Sequence, residues 1–372
     1  MKKTVEERSM SAKRIKNWLR YTIGVPAVVL VLVFIIMFIC DPYFHFHGPL
    51  KGLSYRITEE RYVNNGIVKN FNYDAVITGS SMNQNFKTTT MDSLFGTNAV
   101  KVPFSGAGFQ EVSDNLRVAL ESGNEIKYVL WGLDYNGLNR DYDWQGYENF
   151  PEYLYDNNPW NDLSYVFNKS ILLEGLFNNL VHTVTGQPTT TFDEYSSWEV
   201  GSGWEVINRT YRRSKEILPM EEITEKEINR VTDNIRNNIV ELVKDYPDTT
   251  FLLFYTPYSA LYWESIYRDG WLFKQIEMEK IATQMLLECE NVRLFNFSKE
   301  TEITGDVLCY RDKEHYIASV NELILQWILE GRGLVTGENY EDTLAWEREY
   351  YTVYDYDRLY QGYEQYKIPW EE

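Results

Sequence analysis

The chain has 372 residues, enough for two domains or one large α/β domain with insertions. Its 36 Lys+Arg against 55 Asp+Glu leave −19 at pH 7, a charge that repels phosphate backbones and excludes nucleic acid as a main partner. With 44% hydrophobic and 16% aromatic residues it has material for a core, which excludes disorder over the whole chain.

The first predicted element is a membrane anchor. Residues 21–40, YTIGVPAVVLVLVFIIMFIC, contain no charge, and at about 1.5 Å per residue they span roughly 30 Å of hydrocarbon. The flank 1–20 holds seven basic residues (Lys2, Lys3, Arg8, Lys13, Arg14, Lys16, Arg20) against Glu6 and Glu7, a net +5 that leaves −24 on the remainder. The positive-inside rule therefore puts residues 1–20 in the cytoplasm and everything after Cys40 outside. A cleaved signal peptide would need a shorter apolar stretch and small residues before the cut, whereas Phe34 to Cys40 is bulky throughout. After a juxtamembrane segment, 41–69, the main domain is expected over 70–333, with an acidic, Tyr-rich tail over 334–372.

Apolar, β-rich runs recur at 74–79, 98–104, 126–135, 249–259 and 291–298, as strands buried on both faces require. Helical stripes alternate with them. Thr224 and Glu227 form a capping box ahead of Ile228, Val231, Ile235, Ile239 and Leu242; further stripes run through Met278–Leu286 and Val320–Ile328. This alternation predicts a doubly wound, mainly parallel five-stranded sheet of flavodoxin-like type, with its ligand site at the carboxyl ends of the strands. The loops after 79, 104, 135 and 298 are thus the places to look for chemistry. The segment 137–215, with Trp144, Trp160, Trp198 and Trp204, is too long for a connection and is expected to cap the site.

The first strand ends in Thr78-Gly79-Ser80-Ser81-Met82, which sets hydroxyls at a strand end beside backbone N–H groups able to hold an oxyanion. A serine needs a base, and of the four histidines only His315 follows the fifth strand. Asp312 lies three residues before it, a spacing that lets one short loop orient the imidazole toward Ser81. His45 and His47 fit an interfacial role better than a metal site, since no cysteine or carboxylate cluster completes one, and no motif surrounds His182. No Gly-x-Ser-x-Gly elbow or phosphate-cradling glycine loop occurs, and no metal or organic cofactor is called for. Cys289 and Cys309 are free to pair or to stay as thiols.

Over residues 70–330 this layout resembles the SGNH, or GDSL-type, hydrolase superfamily. Gly79-Ser80-Ser81 is similar to the first block, with Ser81 at the nucleophile position and Ser80 in place of its aspartate. Phe104-Ser105-Gly106-Ala107-Gly108 is similar to the second, whose glycine, here Gly106, lends an N–H to the oxyanion hole. Asp312 and His315 match the fifth block in spacing and place. The third block departs: Gly132-Leu133-Asp134-Tyr135-Asn136 puts Asp134 where the oxyanion-hole asparagine belongs. An ionised Asp134 there raises the barrier, whereas an amide lowers it by about 3 kcal/mol, so Asn136 substitutes, or Asp134 turns away, or the site is weakened.

With its anchor, the architecture is similar to the envelope-polymer acylation branch, which includes the D-alanyl-lipoteichoic acid and alginate acetylation proteins. The resemblance implies a membrane-anchored, extracytoplasmic serine esterase or O-acyltransferase acting on a cell-envelope glycan or polymer, with a multi-spanning acyltransferase as a conceivable acyl donor. In that scheme Ser81, His315 and Asp312 form the triad, and Ser81, Gly106 and Asn136 the oxyanion hole. The competing expectation is a catalytically reduced domain of the same fold that binds glycan or a membrane acyltransferase.

Overall fold

The computed structural model describes residues 5–147, 150–156, 158–198, 201–361 and 363–366; the outermost residues of the basic flank and of the tail lie outside them. The first helix, α1, runs Val5–Cys40, and its stretch Lys13–Cys40 is long and apolar enough to cross a membrane. Most of its side chains are exposed. Its end is fixed to the rest of the protein, because Met37 is buried and Asp41 accepts the N–H groups of His45, Phe46 and His47 at 2.9, 2.7 and 2.9 Å.

Beyond a helix α2 (Glu60–Asn70) come β1 (Ala75–Gly79), α3 (Thr88–Phe95), β2 (Ala99–Lys101), α4 (Phe109–Glu121) and β3 (Tyr128–Leu133). A helix α5, with π geometry over Ile171–Leu176 and α geometry over Phe177–Val184, lies within the long segment that follows. The domain continues through α6 (Glu225–Ile235, a π segment Arg236–Val240, then Glu241–Asp245), β4 (Thr250–Tyr255), α7 (Ala260–Arg268), α8 (Leu272–Leu287), β5 (Val292–Asn296), α9 (Ala318–Glu330), β6 (Leu334–Val335) and α10 (Tyr340–Val353).

The sheet order is β2-β1-β3-β4-β5-β6, with β1 to β5 parallel. Every residue of β1 is buried and so are all but the first of β3 and of β4, which explains their unbroken apolar runs. The expected five strands are six. β6 pairs antiparallel with β5 through Leu334↔Phe295 and Val335↔Leu294, and two residues carry no periodicity to be read in advance. Gly331 and Gly333, both at positive φ, turn the chain back into this pairing, and a Cβ on Gly333 would stand 2.6 Å from the Asn296 carbonyl.

Helices α2, α4, α6, α8 and α10 touch in series, while α3 packs with α9. Thr224 accepts the Glu227 N–H at 3.3 Å and Glu227 accepts the Thr224 N–H at 2.9 Å, so the capping box starts α6. The acidic tail begins as part of this body: Leu344, Glu347 and Tyr351 of α10 are buried, and Tyr351 stacks on Trp263 at 4.3 Å. All three cysteines are unbridged.

Candidate active site

The chain order reverses at β1, whose neighbours are β2 and β3, and a parallel sheet opens a crevice at the carboxyl end of such a point. There β1 ends on Gly79, at φ +134, followed by Ser80 and one 3₁₀ turn over Ser81–Asn83. The Ser80 hydroxyl accepts the Met82 N–H at 3.2 Å and so caps the turn. Gly79 and Gly132 are paired in register, and the buried Asn83 side chain fills the space above both; a Cβ on either glycine would lie 2.5 Å from Asn83 Oδ1. The turn is held from behind as well. Glu60 accepts from Gln84 Nε2 at 2.6 Å, and the buried Lys101 donates to the Gln84 carbonyl at 2.5 Å.

Residues 310–316 form a second tight loop, closed by a Tyr310–Tyr316 bridge and by Arg311 N–H donating to the His315 carbonyl at 3.0 Å. Inside it Asp312 Oδ1 accepts the N–H groups of Glu314 and His315 at 2.8 and 2.7 Å. The same carboxylate meets His315 Nδ1 at 2.9 Å through Oδ2 and 3.1 Å through Oδ1. A carboxylate only accepts, so Nδ1 carries the proton, and Nε2 is left to accept from Ser81 Oγ at 2.8 Å. Burial alone would lower the His315 pKa, but the Asp312 hydrogen bond and charge, with Glu314 and Asp134 behind them, hold it above the ordinary histidine value. Asp312 is opposed by burial too, yet His315 and the two backbone donors keep its carboxyl below the usual carboxylate range.

Around this pair lies an open pocket of about 150 Å³ lined by Ser80, Ser81, Gly106, Asp134, Asn136 and His315, among others, so the six side chains or backbones expected at the site do meet. Gly106, at φ +66, sits in a loop held by three charged groups: Glu60 accepts the Ser105 N–H at 2.6 Å, Arg61 donates to the Ser105 carbonyl at 2.8 Å, and buried Glu111 pairs with Arg61 at 3.0 Å. Glu111 also accepts the N–H groups of Gly108 and Gly146 at 3.2 and 2.8 Å.

Asp134 Oδ1 accepts from the Tyr258 hydroxyl at 3.0 Å and the Thr256 hydroxyl at 3.3 Å. Burial raises its pKa, against the Ser80 and Tyr258 hydroxyls and the attraction of His315, which favour the charged form. Asn136 is exposed at the rim, where Tyr262 reaches its Oδ1 at 3.5 Å.

Several lining residues were not foreseen. Tyr258 comes from the loop after β4, a strand end that the same carboxyl-end rule marks but that carries no Ser, His or Gly signal. Arg140 and Trp144 enter from the segment after β3, the guanidinium 4.5 Å above the indole, and both line the pocket. Trp198, farther along that segment, meets the His315 ring edge-on at 5.9 Å and is itself covered by Arg311 at 4.6 Å. Contacts this distant in sequence leave no local pattern. The other histidines lie elsewhere: His45 pairs with Asp162 at 3.0 Å, His47 contacts the Phe38 carbonyl at 2.8 Å, and His182 is in the last turn of α5.

No family model matches the chain, and no curated protein matches it. Among solved structures, a chain from Streptococcus pneumonia provisionally described as a platelet activating factor is similar over 77% of this chain and 91% of its own, at 11% identity and a TM-score of 0.36. What the site does is therefore argued from its own geometry.

Proposed function

We propose that the protein is a membrane-anchored serine acyl hydrolase or O-acyltransferase of SGNH type. The observation that carries this reading is the unbroken relay from Ser81 Oγ through His315 to Asp312 at the carboxyl end of a parallel sheet. Ser81 would attack an acyl carbonyl while His315 Nε2 takes its proton; the imidazolium formed is stabilised by Asp312 and then returns the proton to the leaving oxygen. The N–H groups of Ser81 and Gly106 would hold the oxyanion, with the Asn136 amide at the rim. The acyl-enzyme then passes to water or to a sugar hydroxyl. The order 2-1-3-4-5 of the parallel strands supports the flavodoxin-like reading. A pocket of about 150 Å³ suits a short acyl group, and its open mouth leaves room for a polymer.

The basic flank of α1 supports a cytoplasmic N-terminus and an extracytoplasmic site, hence an envelope glycan or polymer as substrate. Asp134 in the pocket wall favours one other reading, a catalytically reduced domain that binds such a polymer or a membrane acyltransferase. Hydrolysis of short aryl esters by the full-length protein separates the two. The enzyme reading expects turnover that Ser81→Ala lowers by about 10³-fold or more; equal rates for wild type and variant would leave only the binding domain.

A further inference from the structure

Within the segment 137–215, α5 presents three different faces. Its inner face is fastened to the chain just beyond the anchor. Ile171 is buried, Gly175 packs on Pro42 and Tyr43 so closely that a Cβ would touch both at 3.1 Å, and Asn179 accepts the Arg56 N–H at 2.8 Å. A second face carries Glu174 and Asn178. The third is an exposed apolar stripe at helical spacing, formed by Leu173, Phe177, Leu180, Val181 and Val184, the last 86% exposed. Just before α5, Leu163 and Phe167 are exposed on either side of Tyr165, whose hydroxyl is bound to Asp41 at 2.8 Å where α1 ends, and Trp160 is 82% exposed. A patch of this kind needs an occupant.

We propose that α5 is an interfacial helix that lies in the headgroup region of the leaflet from which α1 emerges, and that it seats the whole domain on the lipid surface. Continuity identifies lipid as the occupant. The last turns of α1 expose Phe34, Ile35, Phe38 and Ile39, side chains that a bilayer covers, and α5 is strapped to the residues immediately after them. An apolar stripe flanked by a polar face, with tryptophan beside it, is the composition of a helix lying in the membrane plane. Asp41 fixes the exit of α1 through four hydrogen bonds, so the anchor and α5 hold the domain at one orientation to the bilayer.

The proposal does not depend on the chemistry of Ser81. Nitroxides placed one at a time at Phe177→Cys and Val184→Cys in the full chain, with the native cysteines replaced, are read in phosphatidylcholine–phosphatidylglycerol vesicles by collision with oxygen and with a water-soluble nickel chelate. Ile35→Cys on α1 and Glu330→Cys serve as membrane and aqueous references. The expected result is oxygen-dominated collision at 177 and 184, as at 35, and nickel-dominated collision at 330. Nickel-dominated collision at 177 and 184 with 35 still embedded would overturn the seating alone. Labels at 177 and 184 shielded from both agents would overturn it in favour of a protein partner, here a second copy. An exposed label at 35 would overturn the anchor as well.

Discussion

At the scale of single residues the central quantity is the charge around His315. Asp312 lifts its pKa above 6.5, and Asp134 adds attraction from across the pocket. A base works only when neutral, so acylation of Ser81 should rise with pH through a value above the ordinary histidine range. Asp312→Asn should cost at least about 100-fold in acylation rate, because the amide can present its N–H to Nδ1 and turn the tautomer. Asp134→Asn keeps an oxygen for Tyr258 and Thr256 but removes the charge, so the pH profile should move to lower pH. Rates of acylation against pH for the three proteins check both expectations; an unmoved profile for Asp134→Asn would mean that this carboxyl is already neutral.

The residues legible in the sequence were those with local signals. A hydroxyl at a strand end and an aspartate three positions before a histidine each sit in one short loop. Tyr258, Trp144 and Trp198 have no such marker, since their place depends on which loops the fold brings together.

At the scale of elements, the junctions carry the strain and the polar costs. Gly132→Ala puts a methyl group 2.5 Å from Asn83 Oδ1 in a packed place, which should cost about 1–3 kcal/mol and displace the Ser81 turn. Thermal unfolding and the acylation rate, measured on the same sample, should fall together.

Where α8, α10 and β5 meet, Asn296 Nδ2 donates to Glu279 at 2.6 Å and to Glu347 at 2.8 Å, both carboxyls buried. Burial, with the neighbouring carboxylate, holds the Glu279 pKa far above its usual value, and the two groups share a proton. A carboxyl that keeps its proton in the fold and loses it when unfolded makes stability fall as pH rises from the ordinary carboxylate range toward the raised value. Glu279→Gln removes that dependence. Its Tm relative to wild type should increase from about pH 5 to about pH 8, as measured by calorimetry; a constant difference would show that no proton is held there.

Patterned elements were readable and short ones were not. The capping box and stripe of α6 stand in the sequence, whereas the π segment Arg236–Val240 and the two-residue β6 leave no period to detect.

At the scale of the whole molecule, one helix able to cross a membrane is joined without a flexible linker to a domain whose pocket sits at the switch point of its sheet. The orientation follows from the flank: replacing Lys13, Arg14, Lys16 and Arg20 by glutamine should invert a measurable fraction of the molecules, read by labelling an engineered cysteine from one side of sealed vesicles. Composition and charge show the anchor and the acidic domain. They do not show that residues 334–353 close the sheet and pack on α8, because burial of that tail comes from tertiary contacts alone.

The claim on which the rest depends is that Ser81 is an activated nucleophile. Labelling of the folded, full-length protein with a fluorophosphonate, followed by mapping of the modified peptide, tests it directly. The account predicts one label per chain, on Ser81, lost in Ser81→Ala and slowed by about 100-fold or more in His315→Ala. A folded protein that takes up no label, or takes it up equally without His315, would contradict it.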